Sequence, residues 1–181
     1  PEDVDVKLGL ARIALWAGAW ERAAAILKRC EATRADVVLF SVVADFRLGQ
    51  FDAALRRARG IEGATGEVVC WSGRALLEKG DAALAAEAFK RVTREGDRGG
   101  PANVLAAALV GEVNALAVLG RRDDALASAL RARAVAPCRE TLALVANLSE
   151  PAVALALLEE ALALPVVARP PWDPMPPGRD A

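Results

Sequence analysis

The side chains that could carry out chemistry are few and scattered in this 181-residue chain. There is no histidine, which excludes Ser–His and Cys–His nucleophile pairs within the chain and removes the commonest metal ligand. Cys30, Cys70 and Cys138 are far apart and odd in number, so they predict neither a zinc ribbon nor a disulfide framework. We interpret them as small buried or half-buried thiols of a protein in a reducing compartment.

The remaining candidates for catalysis are also weak. The acidic pairs Asp123–Asp124 and Glu159–Glu160 are adjacent on predicted helices, and adjacent helical residues point apart rather than sharing a site. The glycine-containing stretch "GIEGATGE" at 60–67 lacks the lysine of a phosphate-binding loop. The sequence therefore predicts a protein that is not an enzyme and that uses no cofactor or metal.

The charges and the hydropathy pattern exclude two further classes. The chain has 23 basic and 24 acidic side chains, a net charge of -1, which argues against binding nucleic acid by bulk charge. The arginine-rich stretches at 56–59 and 130–135 are interpreted as solvated helix faces. The most apolar stretch, at 104–120, is interrupted by Glu112 and Asn114, so it predicts a buried helix and not a membrane span. We expect a cytoplasmic protein.

A glycine followed five residues later by an alanine recurs four times along the chain. The four pairs are Gly18 and Ala23, Gly49 and Ala54, Gly80 and Ala85, and Gly120 and Ala125. The first three glycines are 31 residues apart and the fourth comes 40 residues later, next to a predicted Gly/Pro/Asp-rich loop at 94–103. A weaker fifth copy begins near residue 148. Such a period is typical of repeat architectures.

Each repeat is predicted to be a pair of helices. A run of about 12–15 residues with apolar positions at helical spacing precedes each glycine, and a second such run follows. Glycine ends the first helix because it adopts the left-handed conformation easily, and the small alanines allow the two helices to approach closely. For the fifth pair we expect Ser149 to be the N-cap of the second helix, with Pro151 in its first turn.

The layout resembles tetratricopeptide (TPR) repeats. The third unit carries the signature best, in Gly73, Ala75, Leu76, Gly80, Ala85 and Phe89. The fourth unit carries Ala115, Leu116, Gly120, Ala125 and Pro137. The units are degenerate, since the spacing is shorter than that of the family, tyrosine is missing, and Asp45 stands at a usual aromatic position. The resemblance implies an all-α fold, an α-α superhelix of about five helical hairpins; a generic helical solenoid is the alternative.

We expect the TPR-like domain to span residues 1–165 and an extended Pro-rich tail or linker to span 166–181. From residue 165 the chain reads "PVVARPPWDPMPPGRDA", which is too rich in proline for a helix. The tail either links the repeats to whatever follows or folds back with Trp172 on the repeat surface. Because the chain begins at Pro1, we expect it to be excised from a longer protein or processed.

The resemblance also implies a concave surface lined by the first helix of each pair, and it gives a register for that surface. The predicted partner-binding residues are Arg12, Trp16, Phe40, Arg47, Trp71, Arg74 and Asn114. The remaining positions in that register are Gly9, Val43, Glu78, Gly111 and Val118. Arginines mixed with aromatic side chains would suit a short peptide that carries carboxylates and an apolar anchor.

A structural role for the same residues is the competing interpretation. Asp5, Asp36 and Glu67 recur at the same 31-residue spacing, so they could neutralise the arginines within the scaffold while the aromatic side chains pack between repeats.

The sequence leaves two alternatives for the function of the chain. The first is a non-enzymatic scaffold that binds a peptide or protein segment in its concave face. The second is a regulatory or sensory domain of a larger bacterial transcription regulator or signalling protein, acting on a neighbouring domain of the same polypeptide.

The predicted core gives a first test. Replacing Leu76, a signature position of the third unit, by alanine is expected to cost about 2–5 kcal/mol, because the change removes buried methyl groups and leaves a cavity. Thermal unfolding of the Leu76→Ala variant measures the loss. An unchanged melting temperature would mean that the buried face has been assigned wrongly.

Overall fold

The computed structural model describes residues 3–30, 34–60 and 63–164, and this part of the chain forms ten α-helices and no strand. The helices are α1 (Val4–Trp16), α2 (Trp20–Leu27), α3 (Ala35–Arg47), α4 (Phe51–Arg59), α5 (Gly66–Glu78), α6 (Ala82–Gly96), α7 (Ala102–Val118), α8 (Arg122–Val135), α9 (Arg139–Leu148) and α10 (Pro151–Ala163). The predicted tail at 166–181, with Trp172, lies outside the described residues.

The four predicted turn glycines all end a helix in the left-handed conformation. Their φ angles are 72° at Gly18, 70° at Gly49, 85° at Gly80 and 72° at Gly120. In three of the turns the residue after the glycine donates its N–H to a carbonyl five residues earlier, for example from Gln50 to Asp45 at 2.8 Å. This bond satisfies a helix-end carbonyl that would otherwise lack a partner. The turn is therefore closed by local backbone chemistry.

The four alanines of the pattern are buried in the second helix of each pair. Ala23, Ala54, Ala85 and Ala125 are each 0% exposed. A larger side chain at these positions would push the helices apart, because protein interiors are packed without spare volume. The recurrence of alanine five residues after each glycine is thus explained by packing.

The described helices group into two compact units, α1–α5 and α6–α10. In the first unit α1 packs on α2 and α3, and α3 packs on α4 and α5. Its core contains Leu15, Val37, Val42, Val68 and Trp71, each no more than 4% exposed. That the repeats form a single domain over residues 1–165 stays a prediction.

Asp45, the residue at the usual aromatic position, is buried and paired. Only 5% of its surface is exposed, and its Oδ2 accepts a hydrogen bond from Nε of Arg57 at 2.9 Å. Asp45 lies on α3 and Arg57 on α4, so the ion pair joins the two helices of one hairpin. A buried carboxylate is tolerated only with such a partner, and the pair takes the place of an aromatic contact.

In the second unit each helix packs on the next, from α6 to α10. Its last two helices end without a glycine, and arginine side chains serve instead. Arg122 donates to the carbonyl oxygens of Leu148 and Ser149 at the end of α9. Arg139 donates to those of Leu162 and Leu164 at the end of α10. Cationic donors at a helix C-terminus also complement its dipole.

Two boundary predictions need correction in this unit. Ser149 is the C-cap of α9 and not the N-cap of α10, which is Glu150. The Ser149 hydroxyl donates to the carbonyl of Val145 at 2.8 Å, so it is engaged with the preceding helix. Pro151 does occupy the first turn of α10, as predicted. The loop predicted at 94–103 is shorter, because α6 continues to Gly96 and α7 begins at Ala102.

Gly111 and Gly9 offer a matched pair of substitutions. A Cβ at Gly111 in α7 would lie closer than 3.0 Å to the ring of Phe89, which is 0% exposed, whereas a Cβ at Gly9 in α1 would meet nothing within 4 Å. Gly111→Ala is expected to destabilise the protein by about 1–3 kcal/mol through overpacking. Gly9→Ala is expected to be neutral or stabilising by up to about 1 kcal/mol, because alanine favours a helix interior.

Urea unfolding of the two variants separates the effects. If Gly111→Ala were as stable as the native chain, the close packing of α7 against Phe89 would be contradicted. A loss of stability in Gly9→Ala would show that space at position 9 is occupied.

Glu112 gives the second unit a pH-dependent element. Its Oε2 atom is buried and has no hydrogen-bond partner among the described residues. Burial raises the pKa of this carboxyl, although Arg131, a hydrogen bond from Thr93, Lys90 and Arg94 act in the opposite direction. The unfolded chain keeps the ordinary pKa. Folding therefore favours the protonated form of Glu112. The resulting destabilisation is absent below the pKa of the unfolded chain, about 4.3, and is complete once the pH has risen through the raised pKa of the folded chain.

We expect Glu112→Gln to raise the Tm at pH 7 by about 2–4 °C, and we expect the difference to vanish as the pH falls to about 4, close to the pKa of a glutamate in the unfolded chain. Thermal scans at the two pH values measure it. The control is Glu87→Gln, which changes an exposed glutamate of α6. The Tm of this variant should match that of the native chain at both pH values. A gain that is equal at both pH values would contradict the role of ionisation.

Candidate partner-binding face

Helices α1, α3 and α5 of the first unit bring five of the predicted binding residues into contact. The guanidinium carbon of Arg12 on α1 lies 6.0 Å from the ring centroid of Phe40 on α3. The guanidinium carbon of Arg74 on α5 lies 4.5 Å from the ring centroid of Trp71, one turn earlier on the same helix. At such distances the cation interacts favourably with the face of the ring.

Arg47, the last residue of α3, stands between two tryptophans. Its guanidinium carbon lies 5.5 Å from the ring centroid of Trp20 and 5.6 Å from that of Trp71. With Arg74 on Trp71, arginine and tryptophan side chains alternate from α2 through α3 to α5. We call Arg12, Trp20, Phe40, Arg47, Trp71 and Arg74 together the arginine–aromatic face.

The aromatic rings of this face differ in burial. Trp71 is 4% exposed and belongs to the core of the first unit, where the ring of Phe46 meets it edge-on at 5.2 Å between centroids. Phe40 is half-buried and packs against the same core. Trp71 is therefore positioned to support the arginines from beneath. Trp16, at the end of α1, is by contrast 54% exposed.

The Nε atom of Arg47 is buried and has no hydrogen-bond partner among the described residues. A buried donor without a partner loses the hydrogen bonds it would make with water. Stacking between two rings holds the guanidinium plane, and an acceptor at this place would satisfy the donor. This is the feature of the face that bears most directly on binding.

The carboxylates expected to neutralise the arginines are engaged elsewhere. Arg34, the N-cap residue of α3, donates to Oδ1 of Asp5 and to Oδ2 of Asp36, both at 2.7 Å. The hydrogen bond from Arg34 holds the pKa of Asp36 below its usual range. For Asp5 and Asp36 the expectation of pairing with the arginines of the face is therefore wrong. Glu67 lies in the first turn of α5.

Other positions of the implied register have different surroundings. Val43 is 0% exposed and lies in the core of the first unit. Gly111 is buried against Phe89 in the second unit. Asn114 and Val118 are exposed on α7, also in the second unit. The contacts of the arginine–aromatic face thus involve the first unit alone.

Sequence reasoning missed Trp20, Arg34 and Phe46. The register considered only the first helix of each pair, whereas Trp20 is the first residue of α2 and reaches Arg47 from the second helix. Its place directly after the Gly18 turn was the available signal. The bridging position of Arg34 depends on the packing of α1 against α3, and no spacing in the sequence indicates it.

The cysteines lie as predicted. Cys70 and Cys138 are buried, Cys30 is half-buried, and all three are free thiols. Burial raises the pKa of Cys70 to about 12, so this thiol is not activated as a nucleophile at neutral pH. In residues 3–30, 34–60 and 63–164, no group of three or more His, Cys, Asp or Glu side chains is placed to hold a metal ion. Across those ranges, too, no helix has the length and apolar character needed to span a bilayer.

Paired helices closed by left-handed glycines and buried alanines define a helical-repeat fold of the TPR type, and solved structures agree. TTC0263, a thermophilic TPR protein of Thermus thermophilus, matches with a TM-score of 0.72 and 20% identity over 88% of this chain and 90% of that one. MamA from Desulfovibrio magneticus RS-1 matches with 0.68 and 15% identity over 90% and 92%. YrrB, described as a TPR protein with an unusual peptide-binding site, matches with 0.60 and 17% identity over 89% and 86%.

These similarities confirm the predicted all-α, TPR-like fold of about five helical hairpins. No protein-family model matches the chain, and no curated protein matches its sequence. The fold is therefore shown by three-dimensional similarity at low sequence identity.

Proposed function

We propose that the chain is a non-enzymatic protein-interaction scaffold that binds a carboxylate-bearing peptide or protein segment on the arginine–aromatic face, the concave surface of its TPR-type repeats. The observation that carries the proposal is Arg47, held between Trp20 and Trp71 with a buried Nε that lacks a hydrogen-bond partner among the described residues. Arg47 as a whole is half-buried, and a partner's carboxylate would pair with its guanidinium group.

The chemistry of the face favours this kind of ligand. Arginine presents a rigid fork of donors that pairs bidentately with a carboxylate. Guanidinium groups already stacked on rings lose little conformational freedom when a ligand arrives, which lowers the entropic cost of binding. Arg12 and Arg74 provide further positive charge on neighbouring helices, and the exposed ring of Trp16 provides apolar contact.

Similarity of fold gives independent support. YrrB, which shares the fold over most of both chains, is described as having a peptide-binding site. A peptide ligand is therefore compatible with helical repeats of this kind. The carboxylate preference proposed for this chain rests on its own arginines.

A neighbouring domain of the same polypeptide is a second possible source of the bound segment, as in the regulatory role considered from the sequence. The chemistry required of that segment is the same, namely a carboxylate beside an apolar side chain. Both sources would therefore use the same binding face. They differ in whether the bound segment belongs to the same polypeptide or to another protein.

The Arg12→Ala/Arg74→Ala double variant tests the face. A displayed library of random ten-residue peptides is selected on the native chain, and the affinity of an enriched peptide is measured by fluorescence polarisation. We expect the double variant to bind at least about tenfold more weakly, since hydrogen bonds to charged groups contribute about 1.5–3 kcal/mol each. The Tm should fall only slightly, because Arg12 is exposed and Arg74 is half-buried, and a cation–π contact contributes about 0.5–1 kcal/mol at an exposed site and up to about 2 kcal/mol when desolvated.

A matched control is Arg22→Ala/Arg56→Ala, which removes two exposed arginines of α2 and α4 and is expected to leave the affinity unchanged. Equal affinity of the native chain and the Arg12/Arg74 variant would remove this face as the binding site. Enriched peptides without acidic residues would contradict the carboxylate preference.

A further inference from the structure

The last helix of the described chain has two apolar sides. On its inner side, Leu157 and Ala161 of α10 are each 7% exposed and pack in the core of the second unit. On its outer side, Leu155, Leu158 and Leu162 are 62%, 43% and 75% exposed. We call these three residues the α10 leucine stripe.

The spacing of the stripe places its members on one face. Residues at i, i+3 and i+7 align along a helix, so the three leucines form a continuous apolar surface rather than isolated exposed side chains. In α10 the only charged residues are Glu159 and Glu160. A helix that is apolar on two sides is typical of one packed on both.

The chain leaves α10 at a fixed point and in an extended conformation. Arg139 donates from Nε to the carbonyl oxygen of Leu164 at 3.0 Å and from a terminal nitrogen to that of Leu162 at 3.1 Å. The backbone of Leu164 has φ -72° and ψ 147°, the polyproline II region. Proline-rich chain continues that conformation with little loss of entropy, and the next residue is Pro165.

We propose that residues 165–181 lie back along α10 and cover the α10 leucine stripe, with Trp172 as the principal apolar contact. The segment is long enough. Trp172 is eight residues beyond Leu164, about 25 Å of polyproline II chain, whereas Leu155 lies about 14 Å back along the helix axis. Val166, Val167 and Met175 add apolar side chains to the segment.

The segment is a better occupant of the stripe than a second copy of the chain for two reasons. It begins two residues after the end of α10 at Ala163, and a segment tethered at such short range has an effective concentration of about 1 mM or more. It also carries Arg169, opposite in charge to Glu159, which adjoins the stripe between Leu155 and Leu162 on α10.

The first experiment measures the protection of Trp172 in the chain of residues 1–181. Chymotrypsin cleaves after tryptophan, and mass spectrometry follows the loss of residues 173–181. We expect the Leu155→Gln/Leu158→Gln/Leu162→Gln variant to lose this fragment at least about tenfold faster than the native chain. The rate rises because weaker docking leaves Trp172 accessible for more of the time. The control is Leu84→Gln/Leu130→Gln, which changes leucines that are 58% and 48% exposed on α6 and α8 and should be cleaved at the native rate.

The other outcomes overturn the proposal. Equal cleavage rates for the native chain and the stripe variant would show that the stripe does not hold the segment. Faster cleavage in Arg12→Ala/Arg74→Ala alone would place it on the arginine–aromatic face. Protection that rises with protein concentration, together with a dimer in sedimentation, would show that a second copy covers the stripe.

A second variant keeps the proposal testable if the stripe variant fails to fold. Trp172 follows the last described helix in the sequence, and replacing it by alanine is expected to change the Tm if Trp172 packs on the helices. We expect the Tm to fall by about 3 °C or more. A Tm identical to that of the native chain would overturn the docking of Trp172.

Discussion

The closing of short helix pairs is the constraint on which the rest of this structure depends. Helices of 8–17 residues are marginal in isolation, so each must bury a face on a neighbour at close range. A left-handed glycine reverses the chain within a three-residue turn, and an alanine five positions later has no exposed surface, so the second helix of each pair begins with a close-packed position. Because the turn fixes direction and the alanine allows close packing, the larger core residues meet in register.

The arginine–aromatic face is a by-product of that regularity in the first unit. Because α3 packs on both α1 and α5, side chains of neighbouring first helices come into contact, as Arg12 does with Phe40 and Arg47 with Trp71. The repeated aspartates could have cancelled these charges. Arg34 engages Asp5 and Asp36 instead, while Arg12, Arg47 and Arg74 lie against aromatic rings.

The parts of the fold that depend on local chemistry could be predicted from the sequence, and those that depend on packing could not. The Gly18, Gly49, Gly80 and Gly120 turns were identifiable because only a left-handed residue ends a helix that way. Ser149 was misassigned because its hydroxyl can serve either adjoining helix, and packing decides which. For the face, the register placed Arg47 and Trp71 together, but Trp20 reaches them from a different helix, which a register of first helices omits.

Two of the ways in which the described helices end have different implications for how the array could change its length. A pair closed by glycine is finished by its own backbone, so a copy of it could be added or lost as a self-contained module. The ends of α9 and α10 are instead completed by Arg122 and Arg139, which belong to the beginning of the helix before. Duplication of either of these helices alone would therefore leave its final carbonyl groups without the arginine donors.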